Sequence, residues 1–450
     1  MRDFFHLDEY GTTRRKEAIA GVTTFFAMAY IIVVAPNILS SSGIPWGAVF
    51  IASILASVIG SLVMALYANV PFSLAPGLGM AAFFTVTACA TLHFTWQQAL
   101  SVVFICGLVN CLITVTSLRK KILAAVPESL QVAISGGIGL FLAYMGMLQS
   151  GFIVLDGDLP AMASQITPSL AVFFIGLFFA VVFHIRKIRV GIILSIVIAS
   201  VAAFVLGVTE LDSSVSFFEA ISQFPETFGA IFTSEGLPAL FSDASTAINA
   251  AVLIMLFSFV DTFDTIGTFV GAGHQSGVFT KEEMEGITEP GFNTRLDRAL
   301  IADATGTVFG AMLGTSNTTT VVESMTGISV GGRTGLTTVF TIICLVVCMF
   351  FAPVFSLVPT AATAGVLVIV GVMMMSAFHD IEWSDFSEAL PAFFASVFMA
   401  LCFNISYGIA AGFIMYCLVK IIKGEWRQIS PIIAGASAFF IAAMILLAVI

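Results

Sequence analysis

Charge is what this sequence has least of. Only 10% of its 450 residues are Asp, Glu, Lys or Arg, 59% are hydrophobic, and the mean hydropathy is +1.06. A soluble domain carries roughly 25% charged residues, so the composition excludes one and points to a helical integral membrane protein. Short alternating segments are missing as well. The apolar stretches run long, which excludes an outer-membrane barrel. The seven cysteines (Cys89, Cys106, Cys111, Cys344, Cys348, Cys402, Cys417) lie in apolar runs without metal-ligand spacing, and none sits in a loop where a disulfide is expected. Cys344 and Cys348 share a helical face and read as small buried hydrophobes. The five histidines are scattered, so no metal or other cofactor is expected, and His274 reads as a surface residue. Residues 1–17, MRDFFHLDEYGTTRRKE, lack a short apolar core with a cleavage site. No cleaved signal peptide is therefore expected, and the first span acts as the insertion signal.

At about twenty residues per span, spans are expected near 18–40, 48–68, 71–91, 98–117, 129–149, 168–184 and 189–207. A polar gap follows from Val208 to Ser245. A second set is expected near 246–272, 298–313, 314–331, 335–353, 358–377, 388–403 and 406–422, with 431–449 either an extra span or a surface helix. Basic residues support this layout. With Arg14, Arg15 and Lys16 in the cytoplasm, the other basic clusters fall on the same side: Arg119-Lys120-Lys121, then Arg186, Lys187 and Arg189, then Lys281, Arg295 and Arg298, then Arg333, and Lys420, Lys423 and Arg427. The gap carries Glu210, Asp212, Glu219, Glu226, Glu235 and Asp243 and no basic residue, as an outside loop does.

Seven spans, a loop and seven more give the second half the opposite orientation. Sequence echoes fall at matching places: VPESLQVAISGG at Val126 and VPTAATAGV at Val358, PFSLAPGLGM (Pro71–Met80) in span three and GTSNTTTVVE (Gly314–Glu323) in span ten. The last two interrupt apolar runs with residues poor at continuing a helix. Broken segments at matching places in inverted repeats point to a transporter's binding site. An extended piece is expected near Phe72–Ala75 with a half-helix from about Gly77, and another over Thr315–Thr320 with a half-helix from about Val321. The two half-helix N-termini would meet head to head and offer N–H groups to a solute.

Acids stand beside these breaks. Asp261 and Asp264 lie in FSFVDTFDTIGTFVGAG (Phe257–Gly273), three apart and so on one helical face, and Glu323 follows the span-ten break. A carboxylate at mid-membrane costs roughly 2.5–3.5 kcal/mol and lines a cavity as a rule. With no Lys or Arg in a span nearby, these acids suit proton exchange during transport. Their structural readings are a hydrogen bond to spans three or ten for the aspartates and a dipole partner for Glu323. Asp303 reads as a structural acceptor or cap. The Thr315–Thr320 run, Thr320 included, either satisfies backbone or touches substrate. Gly331-Gly332-Arg333 reads as a cap at the cytoplasmic surface. Phe83, Phe84 and Phe263 are placed to stack on a flat solute. A neutral solute rimmed by donors and acceptors and accompanied by H⁺ suits both the acids and the helix ends. An intramembrane aspartyl protease is excluded, because the two aspartates share one helix and lack GxGD; no enzyme activity is expected.

FFHLDEYGTTRRKEAIAGVTTFFAMAYIIVV, APGLGM, FVDTFDTIGTFVGAGHQSG, GTSNTTTVVES and GGRTGLT together resemble the AzgA-like branch of the xanthine/uracil permeases over almost the whole chain. The resemblance implies an all-α polytopic protein of 14 spans in two inverted seven-span repeats. Its parts would be a cytoplasmic N-terminus (1–17), a core domain (18–117 and 246–353), a gate domain (118–207 and 354–423), an extracellular loop (208–245) and a C-terminal segment (424–450). It implies proton-driven, elevator-type uptake of hypoxanthine, guanine or adenine across the plasma membrane, with Na⁺ the alternative coupling ion. It also implies a homodimer through the gate and no nucleic-acid partner. Asp261, Asp264 and Glu323 match the family's substrate-site acids, and Gly79 its span-three glycine. Two departures stand out: Ala81 where an Asn is usual, which leaves the preferred purine open, and APN (Ala35–Asn37) for NPN. From the residues, Asp261 and Glu323 are expected to touch the base and Asp264 to orient the site or handle the proton. The competing expectation is a carrier or channel of the same fold for a pyrimidine or small anion.

Overall fold

Thr13 opens the first helix, its hydroxyl accepting from the Lys16 amide at the start of α1 (Arg14–Met28). A turn at Ala29–Tyr30 separates it from α2 (Ile31–Ser40), where Pro36 removes one more hydrogen bond of the ladder. α3 (Trp46–Val63) ends in a π turn over Met64–Ala68, closed by Asn69 in the left-handed conformation. The chain then extends through β1 (Leu74–Pro76) and returns to helix as α4 (Leu78–Ala82), which widens to π geometry over Phe83–Thr91. α5 (Trp96–Val115) starts at a capping box of Thr95 and Gln98. α6 (Glu128–Gln149), the hairpin β2 (Ile153–Asp156) and β3 (Leu159–Met162), α7 (Pro168–Ile185), α8 (Gly191–Val205) and α9 (Phe217–Thr227) complete the first half. The second half comprises α10 (Ala244–Ser276), α11 (Arg295–Leu313), β4 (Thr318–Thr320), α12 (Ser324–Ser329), α13 (Gly335–Met349), α14 (Ala352–Phe355), α15 (Thr360–Met374), α16 (Phe386–Leu401), α17 (Ile405–Ile422) and α18 (Pro431–Val449).

This computed structural model describes residues 4–116, 125–156, 159–188, 190–209, 214–276, 278–279, 283 and 294–449. Arg119-Lys120-Lys121, Arg189, Lys281, Glu210 and Asp212 of the charge layout lie outside the described residues, as does the side chain of His274. Among the described residues, seven helical stretches are apolar and long enough to cross a membrane, Arg14–Ser40, Trp46–Ala68 and Thr360–Asp380 among them. Shorter apolar helices accompany them, including Leu78–Thr91 and Gly335–Met349. The chain is a mostly helical, multi-span membrane protein.

The helices pack in two groups. α1 to α5 and α10 to α13 form one, with α11 lying against α3 and α5, and α1 against α12 and α13. α6 to α8 and α15 to α17 form the other, where α15 lies along α6 and α7, and α16 along α6 and α17. Two segments refine the sequence reading. The polar gap contains α9, capped by Ser216 and Glu219, whose Ala220 and Gln223 meet Gly47 on α3. α18 packs on α17 and α10, with Phe440 against Phe413 and Ser437 against Cys417.

Candidate substrate site

Two chain breaks meet. β1 pairs antiparallel with β4 in the register Leu74↔Thr320, Ala75↔Thr319, Pro76↔Thr318. The ladder continues at both ends, from the Gly77 amide to the Asn317 carbonyl (3.0 Å) and from the Val321 amide to the Ser73 carbonyl (3.0 Å). Pairing the extended pieces with each other satisfies groups that lipid cannot. Because the strands are antiparallel, α4 and α12 leave from opposite ends of the ladder, as the head-to-head expectation requires. α12 starts at Ser324, three residues later than expected, since Val321 still belongs to the ladder.

Strand alternation sorts the side chains of the second break. Asn317 and Thr319 face α10: the Asn317 amide reaches Asp261 Oδ1 at 3.4 Å, and the Thr319 side chain hydrogen-bonds Asp264. Thr318 and Thr320 face α11. Asp303 Oδ1 accepts from the Thr320 amide (2.8 Å) and hydroxyl (2.9 Å), and its Oδ2 from Thr265 on α10 (2.7 Å). Thr318 lies where a side chain on Gly310 would stand, and a side chain on Gly306 would meet Leu74. The G-x-x-x-G of α11 is thus the bed on which the ladder rests.

The acids have unequal surroundings. Asp261 is fully buried, its Oδ2 accepting from Asn110 on α5 at 2.5 Å, and Asn110 in turn accepts from Ser258. Asp303 is fully buried too and serves three donors. Asp264 and Glu323 are only half-buried. Glu323 accepts from the hydroxyl of Tyr30, in the turn between α1 and α2, and its neighbour Val322 is 58% exposed. At the other end of the ladder Gly79 is half-buried, and a Cβ there would stand 2.5 Å from Ile138 Cγ2 on α6. Beyond that contact, a crevice of about 450 Å³ is lined by Ser42, Thr85, Cys89, Met145, Gln149 and Phe403, and none of the acids lines it.

The structure therefore gathers Asp261, Asp264, Glu323, Thr320 and Gly79 around one ladder, with the Thr320 hydroxyl engaged by Asp303. Ala81 is fully buried in α4. Phe83 stacks on Phe257 at 4.3 Å, Phe84 is fully buried, and Phe263 stacks on Phe259 at 6.1 Å. Sequence reasoning did not single out Tyr30, Asn110 or Glu17. Glu17, fully buried in α1, accepts from Arg333, Thr334 and Thr337 and caps α13. The signal for Asn110 and Glu17 was present: a polar side chain alone in, or at the edge of, an apolar run.

A model described as a permease family (Xan_ur_permease) matches residues 15–411. The chain is 36% identical to the guanine/hypoxanthine permease PbuO of Bacillus subtilis over 98% of its own length and 100% of that protein's. It is 34% identical to the adenine permease AdeQ of Escherichia coli, covering 98% and 95% of the two chains. Among solved structures, the transmembrane domain of the cyanobacterial bicarbonate transporter BicA is similar at a TM-score of 0.58 and 18% identity, covering 87% of this chain and 96% of that one, a likeness of fold alone. The chain is a membrane permease, not an enzyme, and it belongs to the xanthine/uracil permease family.

Proposed function

We propose that this protein imports purine nucleobases, hypoxanthine, guanine or adenine, together with protons. The names of its full-length relatives support the substrate class. The observation that carries the site assignment is the inequality of the acids. Asp261 and Asp303 are fully buried with both oxygens engaged by protein donors, whereas Asp264 and Glu323 stand half-buried at the ladder, the first bonded to Thr319 and the second to Tyr30. In this reading Asp264 and Glu323 accept N–H groups of the base and exchange the proton. Asp261, held by Asn110 and Asn317, fixes the helix that presents Asp264, which exchanges the base-contact and orienting roles that the sequence reading gives the two. Gly79 and Ala81 form the wall on the span-three side, and Phe263 packs on Phe259 along α10. Thr320 locks the ladder to Asp303 rather than touching substrate.

In the same reading the chain crosses the membrane 14 times as two inverted repeats, with its N-terminus in the cytoplasm. The group of α1 to α5 and α10 to α13 is the mobile core, and the group of α6 to α8 and α15 to α17 is the gate and dimer surface. Transport is an elevator movement of core past gate. Exposed Val322 beside Glu323, with Gly79 packed on Ile138, suits an arrangement open on the cytoplasmic side. A small anion fits less well, since carboxylates at the ladder repel it.

The test is uptake of labelled hypoxanthine, guanine and adenine in cells without their own purine uptake, over a range of external pH. Wild type accumulates at least one of them with acid stimulation. Asp264→Asn and Glu323→Gln, at wild-type level in the membrane, lose more than about tenfold. Uptake by both variants equal to wild type would sink the site assignment, and thermal stabilisation of the purified protein by sulfate or uracil but by no purine would sink the substrate class.

A further inference from the structure

One contact at the ladder has no role in the scheme above. Tyr30 is 2% exposed, and its hydroxyl hydrogen-bonds Glu323, 293 residues away in sequence. Its backbone forms the turn between α1 and α2. The side chain therefore joins the interruption of span one to the acid that follows the interruption of span ten. Three groups face this region from the elements packed there: Asp264 from α10, Asp303 from α11 and the Tyr30 hydroxyl from the span-one turn. Among the described residues, Glu323 forms no ion pair with a Lys or Arg, and its carboxylate is answered by its own backbone amide and by the Tyr30 phenol, the side-chain donor.

A phenol donates to a carboxylate through a charge-assisted hydrogen bond, roughly twice as strong as one between neutral groups. A protonated Glu323 brings its own O–H and needs that donor less. The contact thus distinguishes the two protonation states of Glu323. We propose that Tyr30 is a positioning residue: its hydroxyl holds Glu323 in place while the carboxylate is ionised and slackens when it takes a proton, so that the turn in span one follows the proton on span ten. This rests on the reading of Glu323 as a proton-exchanging group of the transport site.

The test compares wild type, Tyr30→Phe, Glu323→Gln and the double variant in two measurements. In the first, purified protein without substrate is melted between pH 5 and pH 8. Removing the donor costs the ionised form more, so the melting temperature of Tyr30→Phe falls further below wild type at pH 8 than at pH 5. In the Glu323→Gln background the same change gives a gap independent of pH. In the second, purine uptake is followed against pH. Tyr30→Phe still transports, with KM within about threefold of wild type, and its half-maximal pH moves by about one unit towards alkaline values. A melting gap of equal size at both pH values, or a gap that stays pH-dependent with Gln at 323, overturns the proposal. The melting arm needs no transport, so a wild type that takes up no purine defeats the functional reading alone.

Discussion

The two helix groups are held together by different means. In the group carrying the ladder, buried acids collect donors: Glu17 ties α1 to α13, Asp261 ties α10 to α5, and Asp303 ties α11 to α10 and β4. In the other group, backbones press together through small residues. A Cβ on Gly371 would stand 2.4 Å from the Gly139 carbonyl, and one on Gly139 would stand 2.5 Å from the Gly371 carbonyl. Gly137, Gly146 and Gly412 show the same crowding against α16, α15 and α16. Lipid offers apolar side chains no reason to leave it, so a membrane helix pair needs close fit or hydrogen bonds. The ladder group has close glycine contacts of its own, Gly327 against Ala20 and Gly335 against Ala65 among them, so what sets it apart is the set of fully buried acids added to them.

The sharpest way to break the comparison is to put bulk into the close-fitting group. Gly371→Leu collides with backbone on α6, and a collision of that kind costs about 3 kcal/mol. It should melt the purified protein far below wild type, whereas Leu at exposed Val372 next to it should leave the melting point unchanged. Next comes the ladder. Asp303→Ala leaves three donors without an acceptor and should cost about 2 kcal/mol, while Asp303→Asn, which still accepts, recovers at least half of the lost melting temperature. Glu17→Gln follows, replacing one acceptor oxygen with a donor among five donors, at about 1–2 kcal/mol. It should slow uptake less than Asp303→Ala does.

The smallest effect lies outside both packing schemes. Glu425 accepts from Lys420 at 2.7 Å just past α17, and this hydrogen bond holds its carboxyl below the usual carboxylate range. A folded-state value below the unfolded one contributes stability above the ordinary carboxylate range, and the contribution is lost as pH falls through the folded value. Lys420→Met removes this component together with the pH-independent hydrogen bond to Gln428, and the loss of the first should show as a slightly shallower fall of melting temperature between pH 5 and pH 3.

Much of this was legible because polar residues are so rare here. Pro76, the Thr315–Thr320 run, Asp261, Asp264 and Glu323 stand out against apolar surroundings, and both breaks fall where the chain could not continue a helix. The Ser216-x-x-Glu219 capping box was equally visible, yet a gap rich in acids reads as loop until its amphipathic stretch finds Gly47 to rest on. What could not be read is pairing at a distance. Nothing local to Asn110 says that it faces Asp261 across 151 residues, and nothing local to Phe83 says that Phe257 takes its face. The sequence reading sets Asp261 on the base and Asp264 to orient the site, a choice that the residues alone do not decide. One helical face carries both, and only the partners on α5 and β4 tell them apart.

The β1–β4 pairing also sets a timetable. When Leu74, Ala75 and Pro76 leave the ribosome, the residues that complete their hydrogen bonds, Thr318 to Thr320, have yet to be made. At about 5–20 residues per second the wait is on the order of 10–50 s. For that time the interrupted third span has no partner for its extended backbone, and in lipid such a segment must be shielded by the insertion machinery or lie at the bilayer surface. A nascent chain stopped before Thr318 should therefore leave Phe72–Ala82 open to water-soluble thiol reagents at an introduced cysteine, and lengthening the chain past Glu323 should close it.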